Sequence, residues 1–252
     1  KNIEKRIIIN KLNISGYQVF FNKSNLKKIV DLGNINQKIN DFKNVDGYTF
    51  NPSLYKKLKA ENYIDFTKKL INKTKNKPIS IEVIADDDEN CIRQGEIISK
   101  LSNSIYVKIP IIFTSGQSSK KTINSLVVKN IKLNVTAIFE ISQVKQILPI
   151  LKNSKAILSI FSGRIYDTGL DAAKVFSEMA KYIHENSNCK VLWASCRMSY
   201  DYILAQQCDA DIITMQPNLA KKMILFGKNS LEYSKDTVKD FFDDAKSSGF
   251  VF

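Results

Sequence analysis

The chain has 252 residues, of which 44% are hydrophobic and 25% are charged. This composition provides for a full hydrophobic core and excludes a wholly disordered chain, and the length is compatible with one large domain. The formal net charge of +13 comes mainly from lysine, and the lysine pairs are scattered along the sequence, so we expect solvated helix faces rather than a groove for nucleic acid.

Short apolar or β-branched runs alternate with amphipathic helical patterns along almost the whole chain. The predicted strands lie near 17–22, 46–51, 78–84, 105–110, 132–138, 155–161, 189–195 and 211–215. The predicted helices lie near 24–32, 52–73, 86–101, 117–129, 140–151, 170–187, 199–208 and 217–226, with a further amphipathic helix at 235–246. Eight strand–helix units predict an α/β protein with a (β/α)8 TIM barrel over about 17–226, an additional C-terminal helix and tail at 232–252, and a single domain spanning 1–252.

Cysteine spacing and apolar runs bear on metal sites and on location. The four cysteines form no Cys-x-x-Cys pair, and the single histidine, His184, cannot complete a zinc site with them at the usual spacing. No run approaches the roughly 20 apolar residues that cross a bilayer. The apolar run at 7–9 is too short for the core of a secretory signal. We therefore expect a cytoplasmic protein with free thiols, without a bound metal and without a membrane partner.

Polar residues at the C-terminal ends of the strands are the candidates for chemistry in a barrel of this kind. Because side chains alternate along a strand, Lys108 in Val-Lys-Ile-Pro and Glu82 in Ile-Glu-Val are predicted to point into the lumen. The same alternation turns further side chains inward on three other strands, namely Thr49, Asn51, Asn134, Thr136, Ser159 and Phe161. We also expect Trp193 to fill a layer of the lumen below Ser195.

A lysine between two apolar strand residues needs a physical explanation. Burial of an ammonium group is expensive unless the group is paired or loses its proton. A desolvated lysine is a nucleophilic amine that can form a Schiff base with a carbonyl compound. The alternative is a lysine at a strand end whose amine reaches solvent. The polar residues predicted beside Lys108 favour the reactive amine.

Five segments resemble the motifs of one enzyme family. The segment Asp-Gly-Tyr-Thr-Phe-Asn-Pro-Ser-Leu at 46–54 resembles the transaldolase signature in which Thr-Asn-Pro-Ser follows the second strand. Val-Lys-Ile-Pro at 107–110 resembles the family's Schiff-base lysine motif on the fourth strand. The segments at 134–136, 159–165 and 194–197 resemble its fifth, sixth and seventh strand ends, in the family's order. The chain thus resembles the transaldolase and fructose-6-phosphate aldolase superfamily of class I Schiff-base aldolases.

This resemblance implies a role for each matched residue. Lys108 matches the lysine that attacks the ketose carbonyl, expels an aldose by retro-aldol cleavage and keeps a dihydroxyacetone unit as an imine or enamine. Glu82 and Thr136 match the pair associated with a catalytic water. The remaining matches are Asn51, Asn134 and Ser159 for the three-carbon unit, and Arg164, Ser195 and Arg197 for a phosphate clamp. Surface salt bridging is the alternative explanation for the two arginines.

One position departs from the family pattern. The family's first strand ends in an aspartate that relays protons, and in the register of the predicted strand at 17–22 the matching residue is Asn22. An amide cannot take up a proton near neutral pH, and loss of a positioned base costs about 100- to 10,000-fold in rate. Three explanations remain: Glu82 and its water take over, the substrate differs at the hydroxyl involved, or the chain binds substrate without turnover.

Phe161 and Glu82 resemble the transaldolase version of the motifs, since the fructose-6-phosphate aldolases carry tyrosine and glutamine there. We therefore expect a transaldolase-like transferase of the pentose phosphate pathway that moves a dihydroxyacetone unit between phosphorylated ketose and aldose sugars. The alternatives are an aldolase-like lyase and a phosphosugar-binding relative with altered or lost turnover. No cofactor is expected, because the imine nitrogen is itself the electron sink. A homo-oligomer is expected, since short relatives assemble through the C-terminal helix.

Overall fold

A computed structural model describes residues 28–30, 46–74 and 77–251. Its eight strands are β1 (Lys28–Val30), β2 (Tyr48–Phe50), β3 (Ile79–Glu82), β4 (Ile105–Pro110), β5 (Leu133–Ile138), β6 (Ile157–Ile160), β7 (Lys190–Trp193) and β8 (Ile212–Met215). They form one parallel sheet in the order β1-β8-β7-β6-β5-β4-β3-β2, and β1 also lies close to β2. The sheet therefore curls round on itself, and the predicted (β/α)8 barrel is confirmed.

Helices follow the strands and cover the outside of the barrel. They are α1 (Pro52–Lys57), α2 (Tyr63–Lys73), α3 (Asp88–Ser99), α4 (Lys120–Val128), α5 (Ile141–Leu151), α6 (Ser162–Asp167), α7 (Ala172–Asn186), α8 (Asp201–Gln207), α9 (Pro217–Lys222) and α10 (Ser230–Ser248), with a 3-10 helix at Met223–Leu225. Asparagine and aspartate side chains cap several of them. For example, Asp87 accepts a hydrogen bond from the Asn90 N–H at the start of α3, at 2.8 Å.

The core consists of β-branched strand residues packed against the inner faces of the helices. Ile81, Val107, Ile109 and Val135 are fully buried. They lie at positions that alternate with the polar residues predicted to face the lumen, as expected for parallel strands covered on both faces. This alternation leaves the lumen free to carry polar groups.

The first described strand lies within a predicted helix. The helix predicted at 24–32 is wrong over Lys28–Val30, which forms β1 and pairs with Ile213–Met215 of β8. The predicted strand at 17–22 and Asn22 lie outside the described residues. The apolar run near Phe20 gives a stronger strand pattern than the three residues of β1. Barrel register, which the sequence pattern does not reveal, decides which segment pairs with β8.

The helix predicted at 52–73 is divided, and one further helix was not predicted. The pattern at 52–73 forms α1 and α2, and a connection containing Lys59 at a positive φ of 54° separates them. Residues before 170 form the additional helix α6, and α7 follows it. These breaks place α6 directly after β6, at the end of the barrel where the candidate site lies.

Trp193 faces the helices, so its predicted place in the lumen is wrong. The β6–β7 register pairs Ser159 with Leu192, and therefore Leu192 lies on the lumen side of β7. The Trp193 ring packs against Phe176 of α7, with 4.9 Å between ring centroids. Strand alternation cannot be extended back from Ser195 to Trp193, because Ser195 has a positive φ of 64° and does not continue the extended conformation of β7.

The predicted C-terminal helix is confirmed as α10, which is capped by Asn229 and ends at Gly249 in the left-handed conformation. None of its residues is buried. Across the described ranges, no helix combines the length and the hydrophobicity that a membrane span requires.

Candidate active site

A buried ion pair lies at the centre of the barrel mouth. Lys108 of β4 is only 7% exposed, and its Nζ lies 2.9 Å from Oε2 of Glu82 on β3. The strand register places the two residues side by side. The carboxylate gives the buried ammonium a partner, which is the condition for burying such a charge. The amine and the acid are close enough to exchange a proton directly.

Tyr63 of α2 holds the end of β3 in place. Its hydroxyl donates a hydrogen bond to the main-chain carbonyl of Glu82, and its ring stacks on Tyr55 at 4.1 Å between centroids. The Tyr55 hydroxyl in turn lies 2.7 Å from Oγ1 of Thr67. Burial raises the pKa of the Tyr63 hydroxyl, with smaller contributions from Tyr55 and Glu82. Tyr63 could not be predicted from the sequence, because its contact with Glu82 depends on the packing of α2 against β3.

A chain of hydrogen bonds fixes Asn134, the next inward residue round the barrel. The Asn134 amide Nδ2 donates to Oγ of Ser80 at 3.1 Å, and Oγ of Ser159 donates to Asn134 Oδ1 at 2.7 Å. All three side chains are buried. Ser80 was not among the predicted site residues, although it has the same strand parity as Glu82 on β3. Since Lys108 pairs in register with both Glu82 and Asn134, the acid, the amine and the amide lie on three adjacent strands.

Thr49 and Thr136 complete the buried polar lining. Oγ1 of Thr136 is buried and has no hydrogen-bond partner within the described part of the chain. Thr49 is also buried, and it pairs in register with Ser80. A buried hydroxyl without a partner is costly, by about 1 to 3 kcal/mol. Such an atom suits a site where substrate or water supplies the missing hydrogen bond.

Asn51 and Phe161 lie at the rim and have structural contacts of their own. Asn51 caps α1, where its Oδ1 accepts a hydrogen bond from the Leu54 N–H at 3.0 Å. Its amide nitrogen is not used by this cap. Phe161 immediately precedes α6 and packs against Phe139, with 6.0 Å between centroids. Both side chains are half-buried. They are therefore open to a ligand on one side and held by the protein on the other.

The two predicted arginines lie in neighbouring segments at the same end of the barrel. Arg164 of α6 is exposed, with its guanidinium carbon 5.7 Å from the centre of the Phe161 ring. Arg197 follows β7, and its Nε donates to Asp167 at 3.1 Å and to the Gly163 carbonyl at 3.4 Å. Its Nη2 also pairs with Asp167. The surface salt bridge considered as the alternative is thus present for Arg197, although a guanidinium has five donors and can bind an anion as well.

A close backbone contact joins the two arginine-bearing segments. A Cβ added to Gly163 would lie 1.6 Å from the Ser195 carbonyl oxygen, so only glycine fits there. The Gly163 N–H also donates to the Ala194 carbonyl at 3.3 Å. The positive φ of Ser195 lets the chain turn at this contact. The start of α6 and the loop after β7 therefore form one surface that contains Arg164, Ser195 and Arg197.

Asp201, at the start of α8, lies beneath this loop and was also missed. Its Oδ2 accepts hydrogen bonds from the main-chain N–H groups of Arg197 and Met198, at 2.7 and 2.9 Å. Burial raises the pKa of its carboxyl group, although these hydrogen bonds oppose the shift. The neighbouring Cys196 is buried, and burial raises the pKa of its thiol. These properties suit a packed, unreactive thiol.

The site thus combines a lysine amine, a carboxylate, oriented amide and hydroxyl groups, and two arginines at one end of one barrel. Such a set can condense an amine with a carbonyl compound and can bind an anion at the far end of the same molecule.

Comparisons with known proteins agree with the resemblance seen in the motifs. The family model described as "Transaldolase/Fructose-6-phosphate aldolase" matches residues 24–251. A "Probable transaldolase" of Bartonella henselae is 27% identical, over 91% of this chain and 97% of the relative. Proteins of the same description from Brucella anthropi and Sulfurihydrogenibium sp. are each 30% identical, over 79% and 75% of this chain and 89% and 85% of the relatives. The chain therefore belongs to the transaldolase/fructose-6-phosphate aldolase family.

Proposed function

We propose that the protein is a transaldolase-like transferase that moves a dihydroxyacetone unit between phosphorylated ketose and aldose sugars through a Schiff base on Lys108. The observation that carries this proposal is the buried Lys108–Glu82 pair, with 2.9 Å between Nζ and Oε2, in the lumen of a barrel of this family. A lysine that served only for stability at this position would need neither the polar lumen nor the Thr136 hydroxyl, which has no hydrogen-bond partner among the described residues.

The first half of the reaction makes the imine. A proton passes from the Lys108 ammonium to Glu82, and the free amine adds to the ketose carbonyl to give a carbinolamine. Glu82 then returns its proton to the departing hydroxyl, water leaves, and an iminium ion remains. Asn134, fixed by Ser80 and Ser159, is placed to hydrogen-bond the hydroxyls of the bound unit.

The second half breaks and remakes a carbon–carbon bond. The bond between C3 and C4 of the ketose breaks when a base removes the proton of the C4 hydroxyl. C4 then becomes the aldehyde carbon of the departing aldose. The electrons of the broken bond move to the iminium nitrogen. The resulting enamine attacks the aldehyde of an acceptor aldose. Addition of water then releases the new ketose and the lysine. The imine nitrogen serves as the electron sink throughout.

Asp31 is our candidate for the base in the carbon–carbon step. β1 ends at Val30, and the next residue in the sequence is Asp31, which lies outside the described residues. The position of β1 therefore supports Asp31, and not Asn22, as the counterpart of the aspartate that ends the family's first strand. With that aspartate retained, none of the three explanations for its loss is needed, and turnover is expected.

The anion-binding end sets the substrate class. Arg164, Ser195 and Arg197 supply two guanidinium groups and a hydroxyl, which suit a phosphate dianion. We accordingly propose phosphorylated sugars as substrates, the pentose phosphate pathway as the metabolic context, a cytoplasmic location and a homo-oligomeric state. Neither a metal nor an organic cofactor enters the proposed steps.

Reductive trapping tests the Schiff base. Incubation with fructose 6-phosphate, reduction with borohydride and peptide mapping by mass spectrometry should place the adduct on Lys108, and Lys108→Met should abolish it. Lys132→Met is the matched control, because Lys132 lies before β5 at the opposite end of the barrel and donates to the Asn103 carbonyl. An adduct on another lysine, or none at saturating substrate, would refute the proposal.

A coupled assay separates transfer from cleavage. With erythrose 4-phosphate as the acceptor, a transferase consumes fructose 6-phosphate much faster than without it, whereas an aldolase-like lyase shows no such dependence.

Substitution tests the candidate base in the same assay. Asp31→Asn should lower the rate by about 100- to 10,000-fold. Asn22→Asp should leave the rate unchanged, and a large gain from Asn22→Asp would restore Asn22 as the limiting position.

A further inference from the structure

Asp201 makes contacts that exceed those of an ordinary helix-start residue. It is fully buried, and a single oxygen, Oδ2, receives the main-chain N–H groups of both Arg197 and Met198. These amides belong to the loop that carries the anion-binding residues. The carboxylate therefore sets the direction of the main chain at the point where the Arg197 side chain leaves it.

The loop after β7 has a strained main-chain conformation that its neighbours must hold in place. Ser195, two residues before Arg197, has a positive φ of 64°, which costs about 1 kcal/mol or more for a residue other than glycine. Its carbonyl is packed against Gly163, so the loop is fixed on that side by contact with α6. Asp201 fixes it on the other side. The carboxylate is the group that binds the main-chain N–H groups of this segment at Arg197 and Met198.

The second oxygen of Asp201 argues against a purely structural role. Oδ1 is buried and makes no hydrogen bond of standard geometry within the described part of the chain, although the Trp193 side chain lies close enough to lower the pKa of the carboxyl group. A residue that only capped α8 would be more stable as a serine or an asparagine, since a half-satisfied buried carboxylate is expensive. The negative charge lies close enough to Arg197 for the two to interact. Asp201 is therefore arranged to act on Arg197, mainly through the two main-chain hydrogen bonds to its Oδ2.

Asp167 completes the arrangement from the side-chain end. It pairs with Nε and Nη2 of Arg197, while Asp201 binds the Arg197 main chain. The arginine is thus held at both ends before any ligand arrives. A pre-positioned guanidinium loses less conformational entropy when it binds a phosphate.

We propose that Asp201 is a positioning residue that holds Arg197 in the geometry required to bind the phosphate of the sugar substrate. This inference rests on the proposed function, because it takes the loop after β7 as the phosphate site. It assigns Asp201 an effect on phosphate recognition only, and none on the formation of the imine at Lys108.

The test compares a phosphorylated and an unphosphorylated donor. In Asp201→Ala, the concentration of fructose 6-phosphate that gives half-maximal borohydride trapping should rise about 10-fold or more. The corresponding concentration of dihydroxyacetone, which has no phosphate, should stay within about 2-fold of the wild-type value. In Asp201→Asn, which keeps an acceptor for both amides, most of the selectivity for the phosphorylated donor should return. An equal rise for both donors would overturn the inference.

A double-mutant cycle identifies the route of the effect. In an Arg197→Met background, Asp201→Ala should cause no further loss of selectivity for the phosphorylated donor, because the two residues act as one unit. Additive losses would show that Asp201 does not act through Arg197. If Asp201→Ala does not fold, Asp201→Ser carries the same comparison, since its hydroxyl can accept only a weaker hydrogen bond.

Asp211→Ala is the matched control. Asp211 is also a buried carboxylate that accepts a main-chain N–H, from Val191 at 2.9 Å, but it lies at the opposite end of the barrel. This variant should leave the ratio between the half-maximal trapping concentrations of the two donors unchanged.

Should the wild-type protein form no imine with either donor, the proposed function fails, and calorimetric titration with inorganic phosphate still decides the role of Asp201. Equal phosphate affinity in wild type and Asp201→Ala would then refute it.

Discussion

The two ends of the barrel use buried carboxylates in opposite ways. At the C-terminal end, Asp201 has one oxygen that binds two amides and another that makes no hydrogen bond of standard geometry among the described residues, and burial raises its pKa. At the N-terminal end, Asp211 binds His184 at 2.8 Å, Lys190 at 2.9 Å and the Val191 N–H at 2.9 Å. Burial also raises the pKa of Asp211, but these hydrogen bonds outweigh it and lower the value to about 2.

The contrast between Asp201 and Asp211 suggests that one end of the barrel serves binding and the other serves stability. Both oxygens of Asp211 are satisfied, so the N-terminal end gains stability from its charge. The C-terminal end contains buried atoms that make no hydrogen bond of standard geometry, including Thr136 Oγ1 and Asp201 Oδ1 in the described part of the chain. Such atoms cost stability and are tolerated where a ligand or a reaction uses them. Changes at the C-terminal end should therefore reduce activity, and changes at the N-terminal end should reduce stability.

The largest effect is expected from Glu82→Gln. Glutamine keeps the size of the side chain but cannot exchange a proton with Lys108, so kcat/KM for transfer should fall by about 100- to 10,000-fold. Steady-state kinetics with fructose 6-phosphate and erythrose 4-phosphate measure the loss. Glu96→Gln is the control, because Glu96 pairs with Lys129 on the surface and its removal should leave the rate unchanged. A rate within about 3-fold of wild type for Glu82→Gln would show that activity at the C-terminal end does not depend on this carboxylate.

Gly163→Ala tests the contact that joins the two arginine-bearing segments. The added methyl group would lie 1.6 Å from the Ser195 carbonyl oxygen, and a backbone atom cannot rotate away. We expect the free energy of unfolding to fall by about 3 kcal/mol, and the half-saturating concentration of a phosphorylated donor to rise in the protein that still folds. Gly169→Ala is a control for glycine replacement in general, since no atom lies within 4 Å of its Cβ position, although its positive φ adds some strain of its own. Equal effects of the two substitutions would remove the special role of the contact.

Asp211→Asn should change stability without changing activity. The folded-state pKa of Asp211, about 2, lies below its ordinary value of 3.8, so the ionised group stabilises the fold above about pH 4, and this contribution is lost as the pH falls toward 2. The shift corresponds to about 2 kcal/mol at neutral pH. Denaturant unfolding at pH 7 and pH 3 should show a smaller difference between these pH values in the variant than in the wild type. A large fall in kcat/KM would contradict the division between the two ends.

The sequence was sufficient to predict the barrel and the inward positions of the central polar residues, because both depend on strand alternation and on motifs that are continuous in the chain. Lys108, Glu82 and Asn134 lie as their parity predicts. The prediction was wrong where the pattern was weak, as for β1, or where a positive φ reversed the parity, as after Trp193. Tyr63 and Asp201 could not be found from the sequence. Their contacts join segments that only the packed barrel brings together.

The smallest effect on the barrel itself is expected from Phe241→Asp in α10, which lies outside the comparison between the two ends. Val238, Phe241 and Phe242 share one face of this helix, and Phe241 is 69% exposed. We expect this face to pack against a second copy of the chain, where each buried phenylalanine contributes about 1.5 to 3 kcal/mol.

The substitution should therefore lower the mass seen by analytical ultracentrifugation, while the free energy of unfolding of the barrel changes by less than about 0.5 kcal/mol. Lys239→Asp introduces the same side chain on the same helix, at a position whose side chain is already charged and paired with Asp243, and serves as the control. If Phe241→Asp left the assembly state intact, the apolar face of α10 would have to meet something other than a second copy. The expected roles of Asp201 in binding and of Asp211 in stability would be unaffected, because neither residue belongs to this helix.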